Sequence, residues 1–399
     1  MSKKTVGECA KLIRGVSYKK QDAIQSPKEG YIPLLRANNI LNNQLVWDEL
    51  IYVPSEYVSD SQYVRAGNII ITMSSGSKAH VGKVALANKD YFAAFGAFCG
   101  KLICEEINPK YLTFALQSRT FRQYIESASK GTNINNLKQS HILSYEIEVP
   151  QVCEQERIVS KIEELFSKLD ASVAELKTAK EKLKVYRQAV YSSVYDKLCD
   201  LQPITSFFEI TGGLTKNSRR NELSLQMPYL RVANVYYNHL DLSEIKEIGV
   251  TEQEVDRCLL EKNDLLFVEG NGSKTQIGRV AIWNGQIPNC LHQNHIVKGR
   301  PLGNMLSEYA LYYLISNEGR KQIVNIAKST SGLYTLSTNK IKGVRVPYCD
   351  LNAQKRILDD IKEKLSVYDS IEQTIDTSLQ QAEALRQSIL KQAFEGRLS

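Results

Sequence analysis

The decapeptide GSKAHVGKVA at residues 76–85 returns as GSKTQIGRVA at residues 272–281, 196 positions further along the chain. Upstream of it, IPLLRANNI at residues 32–40 corresponds to MPYLRVANV at residues 227–235, at an offset of 195. A period of about 200 residues far exceeds the roughly 20–50 residues of a solenoid repeat. The sequence therefore predicts a tandem duplication of a whole folding unit, and loop insertions account for the small drift in the offset.

Each predicted unit begins with short β-like runs bounded by Gly, Asn and Pro, a pattern that is typical of strands. The runs are residues 68–72, 83–86 and 144–149 in the first copy and 264–268, 279–283 and 343–346 in the second. A helical stretch is predicted before the last run of each copy, at about residues 108–126 and 306–327. The first part of each unit is therefore a mixed α/β globule.

Each unit ends with a long predicted helix, which opens with the motif Gln-x-Arg-Ile at residues 155–158 and again at 354–357. Apolar side chains follow at alternating steps of four and three, the heptad pattern of coiled coils, although the second copy is less regular. The first predicted seam is Ile158, Ile162, Leu165, Leu169, Ser172, Leu176, Ala179, Leu183, Tyr186 and Val190. The second is Ile357, Ile361, Leu365, Tyr368, Ile371, Ile375, Leu379, Ala382, Leu385 and Ile389.

Pairing of the two helices would bury both apolar stripes. If a two-fold axis relates the copies, the helices run antiparallel and form a spacer with a globule at each end. The alternative is that each helix packs only on its own globule. The predicted fold class is α+β, a tandem duplication of a mixed α/β domain followed by a long helix, with an antiparallel coiled-coil spacer. The predicted segments are residues 1–150 and 201–347 for the two globules, and 151–200 and 348–399 for the two helices.

Composition limits the class of protein. Of the 399 residues, 43% are hydrophobic and 24% are charged, which is typical of a globular chain and excludes a disordered or fibrous one. No apolar run is long enough for a transmembrane helix, and no secretory signal is recognisable. Eight cysteines without a CxxC pair indicate reduced thiols, so a cytoplasmic location is expected. The net charge of +7 is compatible with nucleic-acid binding but does not establish it.

Catalytic and metal-binding motifs are missing from the sequence. Residues 270–275 resemble a phosphate loop, but Ser273 separates Gly272 from Lys274 and breaks the required order. Residues 290–295 contain one cysteine and two histidines, yet they lack the paired spacing of a structural zinc site and have no counterpart in the first copy. Neither HExxH nor GxSxG occurs. The chain is therefore predicted to be neither an enzyme nor a metal-binding protein.

The repeated loops carry the candidate DNA contacts. Small residues in the Gly-Ser loops would let the backbone approach a phosphate, and Ser and Lys would donate to it. Arg and Asn side chains are suited to guanine and adenine edges. The predicted contacts are Arg36, Asn38, Asn39, Ser74, Ser75, Ser77, Lys78, Lys83, Thr132, Asn133, Arg231, Asn234, Asn271, Ser273, Lys274, Arg279, Thr330 and Tyr334. The structural alternatives are ordinary turns for the Gly-Ser loops and a helix cap for Arg36.

The whole chain resembles the specificity (S) subunits of type I restriction–modification enzymes. The resemblance rests on the duplicated plan, on the strand, Gly-Ser loop and (Ile/Val)-Gly-(Lys/Arg)-Val-Ala element, and on the Val-Pro and Gln-x-Arg-Ile opening of each long helix. Residues 292–296 also resemble a segment common in target recognition domains of this family, which adds His292 and Asn294 to the expected DNA contacts. The first copy has FGAFCG at residues 95–100 instead, as expected if the two domains recognise different half-sites.

The resemblance implies that the two globules are target recognition domains, each of which recognises one half of a bipartite double-stranded DNA sequence. It also implies that the helices set the gap between the half-sites and hold two methyltransferase (modification) subunits. Those partners would use S-adenosylmethionine to methylate adenine, and restriction/translocase subunits would add cleavage driven by ATP and magnesium. This chain would bind no cofactor itself.

Two other hypotheses come from different classes. The first is a coiled-coil interaction scaffold without a role in DNA recognition, and the second is an enzyme with an unrecognised site between the repeats. Salt dependence separates DNA binding from a packed protein interface, because phosphate contacts make affinity fall steeply with salt.

Overall fold

The computed structural model describes residues 2–77, 79–128, 136–195, 200–330 and 332–398, with side chains except at 193–195, 221 and 328–330. The chain falls into two units: unit 1 is Met1–Leu176 with Thr377–Ser399, and unit 2 is Lys177–Asp376. Each unit combines one globule with a part of each long helix. The units therefore divide the chain differently from the predicted segments, which kept each helix whole.

The globule of unit 1 combines small sheets with short helices. Its strands are β1 (Ser2–Thr5), β2 (Ala10–Arg14), β3 (Tyr31–Leu35), β4 (Ile40–Leu41), β5 (Gln44–Leu45), β6 (Ile51–Pro54), β7 (Ile69–Thr72), β8 (Val84–Leu86), β9 (Ala94–Phe95), β10 (Cys99–Cys104) and β11 (Glu146–Val149). Its helices are α1 (Val6–Cys9), α2 (Pro109–Gln117), α3 (Arg119–Ala128) and α4 (Gln139–Leu143), and the long helix α5 (Val152–Tyr195) follows. The central antiparallel sheet has the order β2-β10-β7-β8, and a second sheet has the order β6-β3-β9. Every residue of β7 is buried, which fits its three isoleucines because β-branched side chains pack well on an interior strand.

The globule of unit 2 repeats this plan. Its strands are β12 (Leu201–Pro203), β13 (Phe208–Gly212), β14 (Gln226–Leu230), β15 (Val235–Tyr236), β16 (His239–Leu240), β17 (Lys246–Gly249), β18 (Leu265–Val268), β19 (Gly270–Asn271), β20 (Val280–Ile282), β21 (Leu291–His292), β22 (Ile296–Pro301), β23 (Lys328–Thr330), β24 (Leu333–Thr335) and β25 (Arg345–Pro347). Its helices are α6 (Glu252–Cys258), α7 (Ser307–Ile315), α8 (Asn317–Ile326), α9 (Thr338–Lys342) and the long α10 (Leu351–Phe394). The central sheet has the order β13-β22-β18-β20, with β17-β14-β21 beside it, so both of these sheets of unit 1 recur, and unit 2 adds the sheet β19-β24-β23. This recurrence confirms the predicted duplication, and all six predicted strands are present to within two residues at each end.

The predicted helical stretch of each globule is present and consists of two helices with a corner between them. In unit 2, α7 ends and α8 begins at Ser316, whose side chain accepts a hydrogen bond from the Gly319 amide at 3.3 Å. A Cβ atom on Gly319 would lie 2.2 Å from the Tyr313 carbonyl oxygen, so the backbone of the unit 2 corner is too close there for a side chain. Ser118 separates α2 from α3 in the same way in unit 1.

The Gln-x-Arg-Ile motif ties each long helix to its globule. The Gln155 side chain is buried, accepts a hydrogen bond from the Asn108 amide at 2.8 Å and donates one to the Pro150 carbonyl at 2.9 Å. Gln354 makes the equivalent pair with the Leu306 amide and the Cys349 carbonyl, both at 2.8 Å. A buried carboxamide with both ends bonded fixes the direction in which the helix leaves the globule.

Within each unit, the two long helices pack against each other in antiparallel orientation. In unit 1, Phe166 early in α5 and Ile389 late in α10 share one apolar core. In unit 2, Val190 late in α5 shares a core with Leu358 early in α10. The predicted antiparallel pairing of the helices is thus confirmed within both units.

The seam of the helix pair differs from the predicted one at five of the twenty predicted positions. In α5, Ser172, Ala179 and Tyr186 are exposed, whereas the neighbouring residues Val173, Lys180 and Arg187 are more shielded. In α10, Ile371 and Leu385 are exposed, whereas Glu372 and Arg386 are half-buried. A search for apolar residues misses Lys180, Arg187 and Arg386 because they are charged. Their charges are nevertheless satisfied: Lys180 pairs with Asp376, Arg386 pairs with Asp170, and Arg187 lies 5.0 Å from the centre of the Tyr368 ring.

Candidate nucleic-acid interface

Four loops of unit 1 converge beside the central sheet and form loop cluster 1, which consists of residues 14–17, 73–77, 96–98 and 136–139. The amides of Met73 and Ser74 both donate to the Phe98 carbonyl, at 2.8 and 3.0 Å. The Leu137 amide donates to the Met73 carbonyl at 2.7 Å, and Val16 forms a bridge with Gly96. These main-chain bonds hold together segments that lie far apart in the sequence. They border a cleft of about 550 Å³.

The same four loops converge in unit 2 as loop cluster 2, which consists of residues 212–217, 269–275, 293–295 and 333–337. The Glu269 amide donates to the His295 carbonyl at 2.9 Å, and the Leu336 amide donates to the Glu269 carbonyl at 2.7 Å. Strands β19 and β24 pair through Asn271 and Tyr334, so the Gly-Ser loop and the second polar loop are direct neighbours. The structure thus brings together two loop pairs that the sequence identified separately.

Glycines at equivalent places permit this convergence. A Cβ on Gly15 would lie 2.1 Å from the Gly96 carbonyl oxygen, and one on Gly213 would lie 2.3 Å from the His292 carbonyl oxygen. No side chain fits such a distance, so glycine is required for the close approach of the two backbones.

Exposed basic side chains lie within the loops of both clusters or within three residues of them along the chain. In unit 1, Arg14, Lys19, Lys20 and Lys138 are exposed, and in unit 2 Lys216, Arg219 and Lys274 are exposed. Exposed Lys and Arg beside closely packed loops are the side chains that pair with DNA phosphates. Of these seven residues, the sequence analysis singled out only Lys274. The match of Gly15 with Gly213, each followed by basic residues, is the signal that could have found the others.

Several predicted contacts lie at these clusters with exposed or half-buried side chains. They are Ser74, Ser75 and Ser77 in loop cluster 1, and Asn271, Ser273, Lys274, Asn294 and Tyr334 in loop cluster 2. Some of these side chains also shape their loops. The Asn271 carboxamide oxygen accepts from the Ser273 amide at 2.9 Å, and the Ser75 hydroxyl accepts from the Ser77 amide at 3.3 Å.

Asn39 and Asn234 are buried, which corrects the prediction that they contact bases. The Asn39 carboxamide accepts from the Arg36 amide at 2.9 Å and donates to the carbonyls of Val46 and Asp48, at 3.0 and 2.8 Å. Asn234 makes the equivalent bonds to the Arg231 amide and to the carbonyls of Asp241 and Glu244. With its polar atoms engaged inside the globule, neither side chain can reach a base edge.

The two arginines of this motif are held on the same turns. The Arg36 guanidinium donates to the Glu49 carbonyl at 2.7 Å, and that of Arg231 donates to the Glu244 carbonyl at 3.1 Å. Arg36 also precedes the short 3-10 helix Ala37–Asn39 as its N-cap, so the structural alternative of a helix cap accounts for this residue. Asn38, next to the buried Asn39, is the exposed member of the group.

His292 is fully buried, so it is not a DNA contact, and this too is a correction. Its Nδ1 lies 2.8 Å from the Ile296 carbonyl oxygen, and burial lowers its pKa to about 3, which keeps the ring neutral. The equivalent residue of unit 1 is Phe95, also fully buried, which is consistent with a packing role at this position. The residue that points outward on the same turn is His295, whose equivalent in unit 1 is Phe98. The sequence analysis missed both, although the repeat offset aligns them.

Arg279 is buried as well, because its side chain packs over the Tyr236 ring at 4.9 Å and donates to the Val232 carbonyl at 3.2 Å. Its predicted DNA contact is therefore wrong. Lys83 is half-buried and lines a different cleft of unit 1, together with Arg119 and Arg122.

Lys78, Thr132, Asn133 and the Thr330 side chain lie outside the described residues, so their predicted contacts stay predictions. In the part of the chain that the structure describes, no group of three or more His, Cys, Asp or Glu side chains is placed to hold a metal ion. Across the same residues, no helix combines the length and apolar character needed to cross a membrane.

Comparison with known proteins places the chain in a family. The model of the type I restriction modification DNA specificity domain matches residues 1–182 and again residues 200–381. The chain belongs to this family. The two matches follow the duplication, and they agree with two units that each carry a loop cluster.

Curated relatives in this family match the chain over nearly its whole length. The EcoKI specificity subunit of Escherichia coli K12 is 33% identical, with 97% of this chain and 87% of the relative covered. The StySPI specificity subunit of Salmonella potsdam is 31% identical over the same shares of the two chains. Both are named specificity subunits of type I restriction enzymes, in agreement with the prediction that the chain is a DNA-recognition component and not itself an enzyme.

Solved structures agree with the fold. A chain from a study of complex assembly in a type I restriction–modification system superimposes with a TM-score of 0.74, at 15% identity, covering 99% of this chain and 98% of that one. The specificity subunit from Thermoanaerobacter tengcongensis gives a TM-score of 0.53 at 16% identity, covering 99% of this chain and 97% of the other. These likenesses support the α+β architecture of a duplicated globule and long helix.

Proposed function

We propose that the chain recognises a bipartite DNA target, with loop cluster 1 on one half-site and loop cluster 2 on the other. The observation that carries the proposal is the recurrence of the same four-loop cluster in both units with different outward side chains. Equivalent backbones would approach DNA in equivalent ways, whereas different side chains would select different bases. Two half-sites of unlike sequence follow from this arrangement.

Within a cluster, different side chains would contact phosphates and bases. Exposed lysines and arginines such as Lys19 and Lys216 would pair with phosphates, which contributes affinity without sequence preference. Side chains at the loop tips would contact base edges, which contributes selectivity. A net charge of only +7 over 399 residues suits a chain that binds DNA together with partner subunits.

We further propose that the long helices set the gap between the half-sites and hold two methyltransferase subunits. Each helix has 44 residues, or about 66 Å at 1.5 Å per residue, a length comparable to two turns of duplex DNA. Exposed apolar residues on these helices, such as Val185 and Val367, offer surface to protein partners. The partners would bind S-adenosylmethionine, and restriction/translocase subunits would bring ATP and magnesium.

A genome-wide map of adenine methylation tests the proposal. Cells would express this chain with a cognate methyltransferase subunit, and the control cells would express the methyltransferase alone. We expect a new split motif with a fixed run of unspecified bases that is present only when the chain is present. If the methyltransferase is active and no split motif appears, the proposal fails and the scaffold hypothesis gains support.

A further inference from the structure

The turn that carries Phe98 in unit 1 carries His295 in unit 2, and the two residues hold equivalent backbone positions. The Phe98 carbonyl accepts from the Met73 amide, and the His295 carbonyl accepts from the Glu269 amide. Both side chains point outward, with 68% of Phe98 exposed and 59% of the His295 side chain. The two positions are therefore matched in backbone and in exposure but differ in chemistry.

The surroundings of Phe98 include an apolar residue, whereas those of His295 include a charged group at the equivalent place. In unit 1, Met73 is buried in the apolar core, and Phe98 lines the cleft of loop cluster 1 with the hydroxyl groups of Ser17 and Ser74 nearby. In unit 2, the residue at the position of Met73 is Glu269, and its carboxylate lies 3.5 Å from Nδ1 of His295. The carboxylate is close enough to interact with Nδ1, and Nε2 is the other ring nitrogen, which a ligand would contact.

An exposed phenylalanine is unfavourable in water, and it lies here on a loop bordered by basic residues. Apolar contact with the 5-methyl group of thymine is a known way in which phenylalanine selects a base in the major groove. An imidazole held by a carboxylate selects a base edge by hydrogen bonding instead. Equivalent positions would then select a base by apolar contact in one half-site and by hydrogen bonding in the other.

We infer that Phe98 and His295 are specificity-determining residues: Phe98 contacts a thymine methyl group in the first half-site, and His295, positioned by Glu269, forms a hydrogen bond to a base edge in the second. This inference rests on the proposed function. It goes beyond that function because it assigns a chemical criterion for base selection to one residue of each unit.

The test uses the complex of the full chain with its methyltransferase and duplexes that carry the split motif found by the methylation map. Each thymine of the first half-site is replaced in turn by deoxyuridine, which lacks only the methyl group. For the unaltered chain we expect one replacement to weaken binding by about 4-fold, as expected for the loss of one buried methyl group. For F98A we expect the same replacement to have no effect and binding to the second half-site to keep its selectivity.

The second half-site is tested by single base-pair substitutions with H295A and H295F. Both should lose discrimination at one base pair by a similar factor, without a change in the first half-site. F92A and H239A are matched controls, because Phe92 is 74% exposed and His239 is exposed, and neither lies in a loop cluster. Circular dichroism should find all five single-site variants folded, as expected for changes at exposed positions.

Two outcomes would overturn the inference. One is that deoxyuridine has no effect at any position with the unaltered chain; the other is that F98A and H295A retain the same discrimination as F92A and H239A. Either outcome is distinct from failure of the proposed function, because a split motif and sequence-selective binding by the unaltered complex would already be established. Absence of that motif would remove the proposed function itself.

Discussion

An ion pair between Arg220 and Glu254 fastens the basic segment that follows Gly213 in loop cluster 2. The two terminal nitrogens of Arg220 lie 3.0 and 2.7 Å from the carboxylate oxygens of Glu254. The same guanidinium donates to the carbonyls of Thr215 at 2.6 Å and Gly249 at 3.0 Å. Both side chains are largely shielded from solvent. Replacing Glu254 with Gln would leave a shielded guanidinium without its counter-charge, and we expect the segment to loosen.

The size of this effect follows from the pKa of Glu254. The hydrogen bond from Arg220 lowers that pKa from the ordinary 4.5 to about 2. At about 1.4 kcal/mol per pKa unit, this shift corresponds to about 3 kcal/mol. Because a quarter of the Glu254 side chain is exposed, solvent screening reduces the expected contribution to about 2–3 kcal/mol. Since the folded-state pKa is lowered, the stabilisation is complete above pH 4.5 and is lost as the pH falls towards 2.

Amide hydrogen exchange measures the local stability around the Arg220–Glu254 pair and does not require two-state unfolding of the whole chain. At pH 7 we expect E254Q to increase exchange about 30- to 150-fold in α6 and in residues 218–222, which corresponds to 2–3 kcal/mol. The difference between E254Q and the unaltered chain should shrink as the pH is lowered from 5 to 2.5.

The matched control is D360N, which breaks the exposed pair of Asp360 with Lys364 on α10 and should alter exchange by about twofold or less. Equal effects of E254Q and D360N, or an E254Q effect that does not vary with pH, would refute the assignment of this stabilisation to the ion pair.

Three further predictions concern the turns, the phosphate contacts and the helix length. N234A removes the buried carboxamide bonds, so it should lower the melting temperature at a cost of about 1–3 kcal/mol. The methylated motif should stay the same, and a changed motif would restore Asn234 as a base contact. K274A should weaken DNA binding for all sequences and reduce the salt dependence by about one ion, whereas the exposed-lysine control K262A should do neither in salt titrations. The last change inserts seven residues after Leu176 in α5 and seven more before Leu379 in α10, which lengthens each helix by about 10 Å. The unspecified gap in a methylation map should then grow by about three base pairs. A gap that stays constant would exclude the helices as its determinant.

Much of the architecture could be predicted because it is repeated or periodic along the chain. The duplication follows from matches about 195 residues apart, and the six strands and the long helices follow from patterns within short windows. Those windows did not show which residues of each helix face the other helix. Lys180 and Arg187 lie at the helix seam because Asp376 and Tyr368 of the other helix interact with them. A single helix cannot reveal that its partner will neutralise a charge.

The candidate site could likewise be predicted only in part. Two equivalent globules with paired polar loops could be predicted from the sequence, because the loops recur at nearly the same offset of about 195–199 residues. Which side chains in those loops are available to DNA depends on the tertiary structure. Asn39, Asn234 and His292 have the right chemistry for base contact, yet the surrounding backbone buries them and occupies their polar atoms. Phe98 and His295 are exposed because main-chain bonds from distant segments hold their turn at the surface, and burial depends on contacts that no local stretch of sequence contains.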